Sequence, residues 1–329
     1  MKRVTKAAFI IALATIVISC ARDVADNSSS SYDRALAAWV RTNYGTALTP
    51  TDSGVYVLSY EPGTGKTVKD SQYVFVHYTC TDLNGNVISS NREEVSHQLG
   101  TYSATDFYGS DIWCVGVESV AKGLEQVLLT MKEGGRARIA VPAGQNTVKY
   151  AGYNAFNFGS GNVIYDFEVD SVVEDIFEYQ NDQLRDYSLR HANGIDTTME
   201  GLYYRLLSST TGCDSINNET TIKVRYIGKR LDGTVFDTNI QDTAKKYRIY
   251  NPNNKYEAME VTYYSDEAAF LENSKNVEGF TYALMQMKYG DTSEVFFRSD
   301  FGYSSTGTGN AIPEYCPLYF WIYIEPQNK

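Results

Sequence analysis

The chain has 329 residues, 43% hydrophobic and 21% charged, which is the composition of a globular protein long enough for about two ordinary domains. Its net charge of −11 argues against a nucleic-acid partner, because phosphate recognition needs a basic stripe and none is visible. Twenty-seven Tyr and 14 Phe form a heavy aromatic load, which amphipathic side chains in sheets account for by themselves.

The first segment is not read as part of the fold. Lys2, Arg3 and Lys6 form a positive start, and Ala7 to Ile18 an apolar run shorter than the roughly 20 residues a spanning helix needs. The run stops at Val17-Ile18-Ser19-Cys20, which resembles a bacterial lipobox: cleavage before Cys20 would leave its thiol to carry lipid. An ordinary secretory signal with an incidental Cys is the alternative. Acyl chains, at about 0.8 kcal/mol per buried methylene, would anchor the protein without a transmembrane helix. The expected organisation is a signal peptide at 1–19 and a flexible tether at 20–32. A helix and first domain at 33–173, a helical linker at 174–200 and a second domain at 201–329 follow.

Helical spacing of Leu36, Trp39 and Val40 predicts a helix ended by Gly45. Gly54-Val55-Tyr56 opens a strand, and VHYTCTDLNGNVISS (76–90) reads as a hairpin. AKGLEQVLLTMKEGG (121–135) is an amphipathic segment, followed by strands at Ala137 to Val141 and Val163 to Val169. The pattern then repeats. Leu184, Tyr187 and Leu189 precede Gly194, and Gly201-Leu202-Tyr203 matches the first strand. VRYIGKRLDGTVFDT (224–238) is the same hairpin, with Phe236-Asp237 where Ile88-Ser89 stood. VEGFTYALMQMKYGD (277–291) precedes strands at Ser293 to Phe297 and Leu318 to Ile324. Strands outnumber helices and one short helix falls late in each half. This predicts the α+β class, two tandem domains each with an antiparallel sheet wrapped around one helix.

Cys80, Cys114, Cys213 and Cys316 lack metal-ligand spacing, so neither a metal nor any other cofactor is expected. Pairing of Cys80 with Cys114 and Cys213 with Cys316, or buried thiols, both fit the numbers. PGTGKT (62–67) is not a phosphate loop, because Tyr60 stands where its first Gly should and no helix follows. His77, His97 and His191 are scattered, and no Ser-His-Asp arrangement is evident.

In order and spacing, Tyr226, the LDGTVFDT hairpin, VEGFTYALMQMKYG, SDFGYS, AIP and the closing LYFWIYI resemble FKBP-type peptidyl-prolyl isomerases. The resemblance covers residues 201–326 well and 54–173 weakly. It implies a half-wrapped sheet around a short helix and a pocket that takes proline. By residue, it places Tyr226, Phe236, Asp237, Phe280 and Tyr303 in the catalytic pocket, with Phe280 as floor where the family usually has Trp. It places Tyr247 on a wall strand, Val277 as a backbone N–H donor, and Ile312 and Phe320 as apolar lining. The first copy departs at Ile88-Ser89 and Leu124. Its loop tyrosine is either Tyr150 or Tyr153, and no Ile-Pro precedes Val163, so 54–173 is expected to keep the fold and lack most activity. The second copy departs at Asn276, Phe280 and Glu314, and carries an insertion at 251–275 that covers or enlarges the pocket. The implied function is isomerisation of proline-containing, exported polypeptides at the cell envelope, at the outer membrane and facing the periplasm or the surface. The implied partners are those polypeptides and, through Cys20, the membrane, with no nucleic acid. The alternatives are a non-catalytic binding or chaperone-like lipoprotein of the same fold, and a structural lipoprotein whose pockets its own side chains fill.

Overall fold

The computed structural model describes residues 28–117, 120–146, 161–192, 195, 198–210 and 214–327. Cys20, Tyr150, Tyr153, Cys213 and the whole of the expected signal peptide lie outside the described residues.

In the first half the elements are α1 (Ser28–Tyr44), β1 (Tyr56–Glu61), β2 (Tyr73–Asp82), β3 (Val87–Ser90), α2 (Glu93–Leu99), β4 (Asp111–Cys114), α3 (Lys122–Leu128), β5 (Arg136–Val141) and β6 (Val163–Val173). The helix α4 (Ile176–Ala192) leads into β7 (Leu202–Ser208), β8 (Thr220–Arg230), β9 (Val235–Thr238), α5 (Gln241–Lys246), β10 (Met259–Tyr263), α6 (Glu267–Asn273), α7 (Glu278–Met285), β11 (Thr292–Phe297) and β12 (Leu318–Ile324). Each half forms one six-stranded sheet, antiparallel throughout. The first runs β1-β5-β6-β2 and the second β7-β11-β12-β8, with β3 and β4 both pairing β2, and β9 and β10 both pairing β8. The repeat read in the sequence is therefore a repeat of topology, two α+β units in tandem.

Alternation makes each sheet two-sided. In β2, Val74, Val76, Tyr78 and Cys80 are buried while their neighbours are only partly covered. That inner face packs on α3 through Leu124, Val127 and Leu128. In the second sheet the inner face meets α7 through Phe280, Ala283 and Leu284. The outer face of each sheet is covered by the helix that precedes it. Leu36 and Val40 of α1 pack on Ala140 and Ile164, and Leu184 of α4 packs on Phe296 and Tyr319.

One expectation needs correction, and two that were left open are narrowed. The tether is not extended to residue 32, because α1 already begins at Ser28; a helix anchored on the sheet adds preceding turns at little cost. Most of the insertion belongs to the sheet and its packing, β10 adding a strand to β8 and α6 burying Phe270 in the core, while Asn251 and Asn254 line a cavity beside Phe236 and Asp237. Cys80 and Cys114 are not joined in a disulfide; Cys114 Sγ lies 3.7 Å from Tyr315 Oη, and Cys316 also remains a thiol.

Candidate active site

The candidate site lies where β8, β9, α7 and β12 meet. Tyr226 and Gly228 are two apart on β8, so both face inward. The hairpin turn at Asp232-Gly233 returns the chain, with Gly233 at φ 91° and the Thr234 amide donating to Asp232 Oδ1 at 2.8 Å. β9 then carries Phe236 and Asp237 beside Gly228, which pairs with Asp237.

Phe280, 3% exposed, forms the floor. Phe320 meets it edge-on with ring centres 5.2 Å apart, and Tyr226 does so at 6.0 Å. Phe236 stands perpendicular to Phe320 at 5.8 Å. Val277, Tyr303 and Ile312 pack on the same core. Val277 is the N-cap of α7, its carbonyl accepting from the Phe280 and Thr281 amides. Eight of the nine pocket residues read from the sequence thus converge.

Tyr247 does not. Residues 241–246 form α5 rather than a strand, and Tyr247 at its C-terminal end is exposed, with the Lys246 ammonium over its ring. The sequence QDTAKK carries good helix formers, and Ala244 supplies the one buried contact that seats it.

Polarity in the pocket is concentrated in one group of oxygens. Tyr226 Oη donates to Asp237 Oδ2 at 2.7 Å. Burial, and then the Asp237 carboxylate, push the Tyr226 phenol well above its ordinary value, and the same two causes raise Tyr303. Both phenols therefore stay protonated at neutral pH and can donate. The pocket holds aromatic edges, the Asp237 carboxylate that takes up the Tyr226 hydroxyl, and the Tyr303 phenol.

Three contributors were not read from the sequence. A Cβ on Gly228 would lie 2.7 Å from Phe236 and 2.9 Å from Phe320, so only glycine lets both rings stand there. Asn239 accepts from the Tyr226 amide at 2.9 Å and donates to the Val224 carbonyl at 2.8 Å. Thr238 Oγ1 donates to the Tyr226 carbonyl at 2.6 Å. These side chains rivet β9's end to β8. The first copy repeats them: Asn91 accepts from the Tyr78 amide and donates to the Val76 carbonyl, each at 2.8 Å, and Ser90 Oγ donates to the Tyr78 carbonyl at 2.9 Å. The signal was present as Ser90-Asn91 and Thr238-Asn239, one step past the residues the motif emphasised.

The first copy keeps this frame and changes the lining, and a cavity of ≈960 Å³ lies against its Tyr78, Ile88, Ser89 and Trp113. Cys80 occupies the register position of Gly228, since it pairs with Tyr165 as Gly228 pairs with Phe320. Ile88 is exposed, and Tyr78 Oη meets the Ser89 hydroxyl at 3.0 Å and bonds the Asp111 carboxyl of β4. Trp113 packs between Tyr78 and Phe167, 5.5 and 5.8 Å away, and Leu124 stands in place of an aromatic floor.

The family model of the FKBP-type peptidyl-prolyl cis-trans isomerases matches residues 64–152 and 213–325. A probable FKBP-type peptidyl-prolyl cis-trans isomerase of Haemophilus influenzae is 26% identical over 134 residues, 41% of this chain and 46% of that protein. The outer membrane protein MIP of Legionella longbeachae is 28% identical over 136 residues, 41% of this chain and 48% of that protein. The chain thus spans about half the length of these curated relatives. The crystal structure of the three FKBP domains of wheat FKBP73 overlaps 85% of this chain and 98% of that one, at 18% identity and a TM-score of 0.31. Because the family model covers well over half of the sequence, in two separate regions, the chain belongs to the FKBP-type peptidyl-prolyl cis-trans isomerase family.

Proposed function

We propose that the second domain isomerises X–Pro peptide bonds in exported polypeptides. The observation that carries this reading is the convergence of Tyr226, Phe236, Phe280 and Phe320 around a single carboxylate, Asp237. Rotation about a prolyl bond faces a barrier of about 18–20 kcal/mol, which comes from amide resonance. The planar amide is charge-separated and the twisted one is less so, so an apolar aromatic wall favours the twisted state relative to the planar one. The Val277 amide at the start of α7 and the Tyr303 hydroxyl would hold the flanking carbonyls, and Asp237 fixes the Tyr226 ring by its hydrogen bond. No bond is broken and no proton need move.

The first domain is read as non-catalytic, since Cys80 stands at the register position of Gly228, and Ser89 and Leu124 replace the carboxylate and the aromatic floor. The lipobox-like Val17-Ile18-Ser19-Cys20 supports export and lipid attachment at Cys20. The name of the Legionella relative supports an outer-membrane setting, facing the periplasm or the surface. The partners would then be proline-containing polypeptides and the membrane.

The test is the rate of cis-to-trans exchange of an Ala-Pro peptide, followed by NMR. Wild-type protein accelerates it. Phe236→Ala and Asp237→Ala each lower kcat/KM by about tenfold or more, equivalent to about 1.4 kcal/mol of transition-state stabilisation. Exchange at the spontaneous rate in wild-type protein removes the isomerase reading.

A further inference from the structure

The first domain reaches the pocket of the second. Between α2 and β4 the chain runs out in a loop. There Arg230, at the end of β8 and 5% exposed, gathers three backbone carbonyls. Its Nη1 donates to Thr105 O at 2.8 Å and to Ala311 O at 2.7 Å, and its Nη2 donates to Asp106 O at 3.3 Å. Its Nε pairs with Asp232 at 3.0 Å, and its guanidinium lies over the Phe107 ring at 5.3 Å. The Phe107 amide donates to Asn310 O at 2.7 Å, and Asn310 Nδ2 donates to Asp106 Oδ2 at 3.2 Å. One buried guanidinium therefore clasps the first domain's loop to two loops of the second. Charge-assisted bonds from a planar fork suit that task, and lysine could not replace them.

So held, Ser103, Ala104 and Thr105 form one side of a cavity of ≈390 Å³. Phe236, Asp237 and Thr238 form another, and Arg248, Tyr250, Asn251 and Asn254 help close it. Phe236 and Asp237 thus border both this cavity and the aromatic pocket. Hydroxyls, amides, a guanidinium and a carboxylate face it, so it offers both donors and acceptors. That mixture suits the backbone and polar side chains of an extended peptide.

We propose that this cavity is a second subsite, in which the polypeptide flanking the prolyl bond is held between the first domain's loop and the second domain's hairpin. The proposal rests on the isomerase reading only for where the proline sits. The non-catalytic copy then acts as a substrate wall, and Arg230 is the positioning residue that holds the wall in place. Long chains gain contacts that a tetrapeptide cannot make.

The test uses the full chain, a long unstructured peptide with one central Ala-Pro bond, and the tetrapeptide cut from its middle. Affinity is measured by calorimetry and exchange by NMR. Wild-type protein binds the long peptide more tightly than the short one. Ala104→Trp, on an exposed-side loop outside either core, fills the cavity and lowers the long-to-short affinity ratio about tenfold. Arg230→Ala lowers the same ratio by releasing the loop. Equal affinities for the two peptides, or a ratio unmoved by both variants, overturn the proposal. A ratio that falls in Ala104→Trp supports the subsite even where no exchange is accelerated, in which case the isomerase reading alone is lost.

Discussion

At Gly228 the absence of a side chain decides whether a pocket exists. Phe236 and Phe320 meet over its bare Cα, and a Cβ there would stand within 3 Å of both rings. Gly228→Ala is therefore expected to displace Phe236 and lower kcat/KM by about tenfold, while the cooperative unfolding of the domain persists. Far-ultraviolet circular dichroism and prolyl exchange on the same sample separate the two effects. Cys80 at the matching position is expected to keep a Phe-Asp pair alone from rebuilding the pocket in the first copy. Its Sγ already fills the place, and burial pushes its thiol up to about 12, so it serves as a small apolar plug. In a double substitution Ile88→Phe and Ser89→Asp the first domain should stay inactive.

At the level of elements, the two hairpins are held by the same rivet. Asn239 and Asn91 are 8% and 6% exposed, and each satisfies one buried amide and one buried carbonyl of the neighbouring strand. Removing either side chain leaves those groups without their partner, at a cost of about 1–3 kcal/mol. Urea unfolding should show Asn239→Ala weakening the second domain and Asn91→Ala the first, by similar amounts. β4 differs from its counterpart β10 by carrying Asp111 into the sheet. Burial raises the Asp111 carboxyl to about 6, while Asn91, His77 and Tyr78 pull it down. An unfolded aspartate titrates near about 3.9, so the folded state holds this proton more tightly. The stabilisation is complete below about pH 4 and lost as pH rises through about 6. The first domain should thus be more stable at about pH 5 than at about pH 7.5 by on the order of 1 kcal/mol from this group, a difference that Asp111→Asn abolishes. Thermal melts of the two proteins at both values measure it.

Across the whole molecule, α4 joins the two halves more closely than a linker between independent domains would. Ile176 and Tyr179 pack with Tyr73 and Phe75 of the first sheet and with Tyr315 of the second domain. Gln180, 1% exposed, accepts from the Ser299 amide at 2.8 Å and donates to Ser299 Oγ at 3.0 Å and to Tyr315 O at 3.1 Å. Ser299 opens the loop that carries Tyr303, so the same amide links α4 to the pocket rim. Gln180→Ala should cost about 2 kcal/mol or more, because it strands buried backbone groups at the junction. A single unfolding transition in wild-type protein, split into two in the variant, would show the coupling. Coincident behaviour of the two proteins would show that α4 is only a tether.

The sequence by itself determined the two-fold repeat, the sheet-and-helix order of each copy and most of the aromatic cluster at the candidate site. Alternation, hairpin turns and amphipathic spacing are local properties, and the family's motifs stand at fixed places along the chain. Tyr247 was misread because residues 239–275 carry no such motif, and a short helix and an added strand are distinguished there only by what they bury. Only the tertiary structure decided that Gly228 makes room for two rings, that α4 is a shared core element, and that residues 103–105 stand beside Asp237. Each of these depends on which distant segments are brought within a few ångströms of one another. That proximity comes from the packing of two copies on one helix, and no local pattern of residues records it.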